Sequence, residues 1–150
     1  MKVVKDTDKL HPEFIPIYNM VWGEIMRHDL PLEVFETLRA PERQTYLFEQ
    51  KRSKLKGKQG AHTHGMAVDF ILDMKRFKGT NVNPWDTGVS DDGKITNPDV
   101  LAVWLFFGRV LHTQFPKIRW GGDWRKGKKV ALGWDPYHIE LENWTNRILG

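Results

Sequence analysis

The 150-residue chain contains no cysteine. Disulfides and thiolate metal sites are excluded, so any transition metal must be held by His, Asp or Glu. The same absence leaves the compartment open, since such a chain works in reducing or oxidising surroundings alike. Long apolar runs are missing too. The longest, Val100 to Phe107, is far too short to cross a bilayer, so no stable membrane insertion is expected. The N-terminus, Met1-Lys2-Val3-Val4-Lys5-Asp6, has no apolar stretch after its positive start and does not read as a signal peptide. The chain therefore reads as soluble and made in the cytoplasm, and action outside the cell needs a separate release route. It has no internal repeat and no long linker. Its length suits one domain, 1–150, able to bury roughly 68–70% of its unfolded surface.

What the chain does have is a mild basic excess, with net charge +4 and pI near 9.3. Such a balance favours polyanions such as nucleic acid, anionic wall polymers or membrane surfaces, and ordinary solubility charge explains it equally well. Much of the excess is local. Lys51 to Lys58 and Arg125 to Lys129 are short basic runs interrupted by glycine, and both read as mobile loops.

Apolar spacing predicts a first helix over His11 to Leu30, with Pro16 able to delay its start. A strand is expected over Leu32 to Leu38, and a second helix over Pro41 to Lys51. After a loop over 52–65, Met66 to Leu72 reads as a strand. Its alternation sends Val68, Phe70 and Leu72 to one face and Ala67, Asp69 and Ile71 to the other. Residues 73–97 read as a long loop. Asn97-Pro98-Asp99 is a strong helix start, and that helix should run to about His112 with Val100, Val103, Trp104, Phe107 and Leu111 inward. Strands at Lys117 to Trp120 and His138 to Leu141 close the chain, with a Gly121-Gly122 turn and a basic loop between them. Strands and helices without regular alternation indicate an α+β fold, helices packed on a small, mainly antiparallel sheet.

Two clusters carry chemistry. His62 and Asp69 lie seven positions apart in Gly60-Ala61-His62-Thr63-His64-Gly65-Met66-Ala67-Val68-Asp69, and Asp135-Pro136-Tyr137-His138 lies far downstream. Together they offer two imidazoles and a carboxylate for a metal, and one more carboxylate for acid/base work. That inventory suits a catalytic zinc site, which takes three protein ligands and keeps one position open. His62, just ahead of its strand, Asp69 within it and His138 on a neighbour can converge over one sheet face. From spacing alone, solvated or core-satisfied polar residues remain the competing reading. His64 is a rival ligand, because His62 and His64 share one side of an extended strand. His11, His28 and His112 have no partner motif and read as surface or core histidines.

The motifs resemble those of the zinc peptidases of peptidoglycan. That family includes the D-Ala-D-Ala carboxypeptidases, D,D-dipeptidases and phage L-alanyl-D-glutamate endopeptidases. His62, Gly65, Ala67 and Asp69 match its His-x-x-Gly-x-Ala-x-Asp core. Asp135 and His138 match its Asp/Glu-x-x-His element, and Arg39 and Gln44 match its upstream Arg-x4-Gln signature, with Ser53 in the stretch that follows. Trp120-Gly121-Gly122-Asp123-Trp124 ahead of Asp135 looks most like the phage endolysin branch. The likeness runs from about Leu32 to Leu141, in the family's order. One departure is Gly60, where the family usually has serine, and the basic stretch 54–59 lengthens the approach to the site.

The resemblance implies a Hedgehog/D,D-peptidase-like zinc peptidase fold with one Zn2+ per chain, held by His62, Asp69 and His138. Asp135 would be the general base. Arg39 would stabilise the tetrahedral intermediate or hold a substrate carboxylate, or simply pair with a helix acid. His64, Gln44, Ser53, Trp124 and Trp134 are candidate substrate contacts, with core packing the alternative for the tryptophans. Asp123 is either an orienting partner for a ligand histidine or a turn residue, and Glu140 shares the His138 face. The implied activity is hydrolysis of the L-Ala–D-Glu bond of the stem peptide by a monomeric phage or prophage endolysin. It would be released through a holin or similar route to the wall and have no nucleic-acid partner. A D-Ala-D-Ala carboxypeptidase or dipeptidase, or a non-catalytic wall-binding module, are the alternatives.

Overall fold

Helix α1 runs from Ile15 to Arg27, with Pro16 in its first turn. It starts later than His11 because a proline inside a helix removes an N–H and clashes with the preceding turn, whereas the first turn has no use for that N–H. It stops short of Leu30 because Asp29 adopts a left-handed φ of 51°. Strand β1 covers Leu32–Glu36 and helix α2 Pro41–Glu49. The helix ends two residues before the left-handed Lys51 (φ 58°). Strand β2 is Ala67–Leu72 and helix α3 Pro98–Gln114. The α3 start is as the sequence indicates, the Asn97 side chain accepting from the N–H groups of Asp99 and Val100. Strands β3 (Ile118–Trp120) and β4 (His138–Leu141) follow, then a short helix α4 (Trp144–Leu149) that apolar spacing does not announce. The computed structural model describes residues 2–53, 55, 57, 60–125 and 130–149. Lys54, Lys56, Lys58 and Gln59 of the first basic loop and Lys126 to Lys129 of the second lie outside these residues.

The four strands form one antiparallel sheet in the order β1-β2-β4-β3. The small α+β architecture expected from the sequence is therefore present. Val68, Phe70 and Leu72 are fully buried on one sheet face. Helix α1 lies over them, with Tyr18 and Trp22 stacked on Phe70 at 6.3 and 6.5 Å, and Phe107 of α3 meets the same ring edge-on at 5.5 Å. Leu101 and Val110 join the buried α3 residues, while Val103 is only partly covered. With one face packed by helices, the polar residues of the other are left to form a site. Residues 73–97 are irregular apart from a single 3-10 turn at Met74–Arg76 and one bridge, Val89 to Ile95. Trp104 Nε1 donates to the Asp86 carbonyl (2.9 Å) and the Tyr137 hydroxyl to that of Trp85 (2.5 Å), fixing the segment to the body of the fold. No helix among the described residues is long and apolar enough to cross a membrane.

Gly108 marks where α3 meets the sheet most closely. A Cβ added there would lie 2.2 Å from Cζ3 of Trp120. That ring is 3% exposed and tied through Nε1 to the Pro136 carbonyl at 2.7 Å, so it has little room to retreat. Alanine improves helix propensity by about 1 kcal/mol over glycine, but overpacking costs about 1–3 kcal/mol. Gly108→Ala is expected to lower the urea midpoint of unfolding, and an unchanged or higher midpoint would contradict this packing.

Candidate active site

Asp69 sits at the centre of the polar sheet face. Its cross-strand partners are Glu36 on β1 and His138 on β4, so three ionisable side chains form a row across three strands. The row depends on a bulge. Val34 pairs with Phe70 but Glu36 pairs with Asp69, so Phe35 is an extra residue and Glu36 is brought opposite the aspartate. His138 Nδ1 lies 3.0 Å from Asp69 Oδ1, and its Nε2 lies 2.8 Å from Glu140 Oε1. Glu140 reaches the ring because residues two apart on a strand share a face.

His62 arrives differently from the extended approach expected. It lies on a 3-10 turn, Ala61–His64, closed by left-handed Gly65 (φ 69°). That glycine packs on the N-terminal segment, and a Cβ there would sit 2.6 Å from the His11 nitrogen. The turn separates His62 from His64, whose ring instead stacks on Trp144 at 5.5 Å. His62 Nδ1 lies 2.8 Å from the Thr37 carbonyl, which can only accept, so Nδ1 carries a proton and Nε2 is the atom turned towards the cleft. Nε2 is buried, makes no hydrogen bond, and lies 3.1 Å from Asp69 Oδ1. A nitrogen that close to a carboxylate oxygen needs a positive charge between or on them, either a proton on Nε2 or a metal ion. His62, Asp69 and His138 each offer one ligand atom, all within 4.8 Å of one another. Tetrahedral bonds of about 2.0–2.2 Å need donors roughly 3.3 Å apart, close to the 3.1 and 3.0 Å that separate Asp69 Oδ1 from the two imidazoles, so the three residues could hold a metal ion.

Asp135 lines the same cleft, of about 660 Å3. Its turn is held by the Trp120-Gly121-Gly122 segment. Asp135 N donates to the Gly121 carbonyl (3.3 Å), and a Cβ on Gly121 would come within 2.0 Å of the Asp135 carbonyl oxygen. Only glycine admits that approach. Burial pushes the Asp135 carboxyl up to about 6; the His138 imidazole pulls against this and the Asp69 charge adds to it. Asp69 behaves oppositely. Burial works against its charge, yet His62 and His138 overcome that and hold it well below the usual carboxylate range.

Arg39, Gln44 and Ser53 also line the cleft, joined in a chain of bonds. Arg39 Nη1 donates to Gln44 Oε1 (2.9 Å), and Gln44 Nε2 donates to Ser53 Oγ (2.8 Å) and the Leu55 carbonyl (2.7 Å). Gln44 is thus occupied in holding the Ser53 hydroxyl and the Leu55 carbonyl. Gly60 abuts this chain, a Cβ there meeting Gln44 Oε1 at 3.1 Å. The acid paired with Arg39 is on a strand rather than a helix: Nη2 donates to Glu36 Oε1 at 2.7 Å. Asp123 is turned away from the ligand histidines and pairs with His112 at 2.7 Å on the surface.

Aromatic rings flank the cleft. Trp124 lies 5.5 Å from Trp134 and 5.3 Å from His138, ring to ring. Phe35, Trp85 and Tyr137 also line it, Trp85 edge-on to Phe35 at 4.7 Å and to Tyr137 at 4.9 Å. Sequence reasoning missed this second group, and it missed Glu36, Arg43 and Thr37. Trp85 comes from an irregular segment and Glu36 is placed by a bulge, so neither carries a local signal. Tyr137 stands inside the Asp135–His138 motif and was within reach.

No protein-family model matches the chain, and no curated protein matches it. Solved structures do. The Serratia marcescens L-Ala D-Glu endopeptidase ChiX is 20% identical with a TM-score of 0.57, over 93% of this chain and 86% of that one. The LD-carboxypeptidase LdcB is 12% identical with a TM-score of 0.53, over 99% of this chain and 66% of that one. At such identities the likeness establishes a shared fold.

Burial disfavours a charged His138, but hydrogen bonds to Asp69 and Glu140 more than offset it and push the imidazole up to about 10. A raised pKa means the ring stays protonated at neutral pH and loses its proton only as pH climbs through the raised value. Ligation needs a free lone pair, so metal uptake at neutral pH should expel a proton, and affinity should rise with pH. Calorimetric titration with Zn2+ in buffers of different ionisation enthalpy should give different heats. Identical heats would refute a protonated His138.

Proposed function

We propose that this protein is a zinc peptidase of the peptidoglycan stem peptide, acting on the L-Ala–D-Glu bond as a phage or prophage endolysin. The observation that carries the reading is the convergence of His62, Asp69 and His138, each offering one ligand atom, in one cleft with Asp135. The fold shared with an L-Ala D-Glu endopeptidase and an LD-carboxypeptidase supports it, as does the Trp120-Gly121-Gly122-Asp123-Trp124 element ahead of Asp135. His62, Asp69 and His138 would hold one Zn2+. The chemistry such an ion would supply is polarisation of the scissile carbonyl and activation of a water molecule. Asp135 accepts the proton of the attacking water and returns it to the departing amine nitrogen. Its raised pKa suits a group that must both take and give a proton near neutrality. Trp124, Trp134, Phe35 and Trp85 flank the peptide. The protein acts as a monomer on the wall, reached through a holin or similar route.

The test is digestion of purified peptidoglycan with zinc-loaded protein, followed by mass spectrometry of the fragments. Release of peptides beginning at D-Glu is expected. Free D-Ala as the sole product would instead mark a D,D-carboxypeptidase, and no product would leave a wall-binding module.

Replacing Asp135 with Asn should lower turnover by about 10^2–10^4-fold while one zinc per chain remains bound; full activity in this variant would remove Asp135 from the mechanism. A base works only when deprotonated. With the Asp135 carboxyl pushed up to about 6, kcat/KM should fall roughly tenfold per unit as pH drops below about 6. A profile flat to pH 4 would contradict the assignment.

A further inference from the structure

Arg39 stands beside the ligand cluster, and its bonds say what it does there. Its Nη1 donates to Gln44 Oε1 and its Nη2 to Glu36 Oε1. The same Nη2 lies 3.5 Å from Asp69 Oδ2. Its Nε is buried and without a partner. Both terminal nitrogens thus face protein acceptors, and the side chain is only 11% exposed. A guanidinium meant for a substrate carboxylate presents two parallel N–H groups to the open cleft. This one lines the cleft but has both terminal nitrogens engaged by acceptors of the protein.

The two oxygens of Asp69 are used differently. Oδ1 faces both imidazoles, at 3.1 Å from His62 Nε2 and 3.0 Å from His138 Nδ1. Oδ2 faces Arg39. The cation draws one oxygen aside and leaves the other on the side where the ligand atoms converge. Glu36 holds that cation in turn. It is 1% exposed, and its Oε2 accepts from Arg43 Nε at 2.6 Å while Oε1 takes Arg39. Burial opposes its charge, but Arg43 and Arg39 outweigh this and hold it ionised. The β1 bulge is what puts Glu36 opposite Asp69 rather than Phe35.

Resting on the zinc reading above, we infer that Arg39, held by Glu36 and Gln44, is a positioning residue of the metal site. It keeps Asp69 to a single ligating oxygen and so sets metal affinity and coordination number, rather than binding substrate or the intermediate. Partners of this kind change metal affinity by about 10–100-fold when removed. Glu36 belongs to the same device, because without its carboxylate Arg39 loses the acceptor that aims it.

The experiment compares wild type with Arg39→Met and Glu36→Gln, each near its parent in volume. Zn2+ affinity is measured by chelator competition, and the visible spectrum of the Co2+-loaded protein reports coordination number. Both substitutions should weaken zinc binding at least tenfold, and Arg39→Met should reduce the Co2+ band intensity as the second Asp69 oxygen joins the ion. Should Arg39→Met fail to fold, Glu36→Gln carries the test, because it leaves the guanidinium in place. Wild-type affinity and spectrum in the variants, with kcat alone reduced, would overturn the inference and return Arg39 to the substrate. A wild-type protein that binds neither ion would overturn the zinc reading itself, and this proposal with it.

Discussion

A single carboxylate organises this site. Asp69 lies on an inner strand, so it has a cross-strand neighbour on either side, Glu36 and His138. One of its oxygens faces two imidazoles and the other a guanidinium. A charge this enclosed is costly unless compensated, and the surrounding groups supply that compensation. Their positions follow from the need. The turn at Ala61–His64 and the register of β4 deliver the two imidazoles to Asp69, and the bulge in β1 places Glu36, whose bond to Arg39 keeps that cation beside it.

The scaffold makes such placement rigid. The opposite sheet face is filled by Phe70 and its aromatic neighbours from α1 and α3, which leaves β2 little freedom. His62 does not lie on the sheet, and it is secured by its own contacts. The Thr37 carbonyl fixes its ring, and the Arg39 N–H donates to its carbonyl at 2.9 Å. Thr37 itself is bonded through its backbone N–H and hydroxyl to Val4 and Asp6. The N-terminal segment therefore supports His62, far from it in sequence, both here and through the contact of Gly65 with His11.

Asp135 stands beside this framework, in the same cleft. It belongs to the turn that leads into β4, so Asp135 and His138 are delivered to the cleft by one short segment. Trp120, Gly121 and Gly122 hold that turn, which accounts for two adjacent glycines and a buried tryptophan just after β3. Separate control of the two carboxylates follows from their surroundings. Asp69 is ringed by cationic or polarisable partners, while Asp135 has burial without a bonded counter-charge, and their pKa values move in opposite directions.

The sequence by itself determined the elements with strong local signals. The Asn97-Pro98-Asp99 start of α3, the alternation of β2 and the pairing of His138 with Glu140 on one face follow from cap chemistry and strand period, both of which act over a few residues. His62, Asp69, Asp135 and His138 were legible because their motif is contiguous in two short stretches. Tertiary structure alone decided the rest. A bulge chose Glu36 over Phe35 as the partner of Asp69, a 3-10 turn separated His62 from His64, and the 73–97 segment brought Trp85 to the cleft. Bulge placement and the paths of irregular loops depend on which distant chain they pack against, and no local spacing encodes that. The direction of Arg39 is of the same kind, because it is set by acceptors on β1, α2 and β2 that meet only once the sheet has formed.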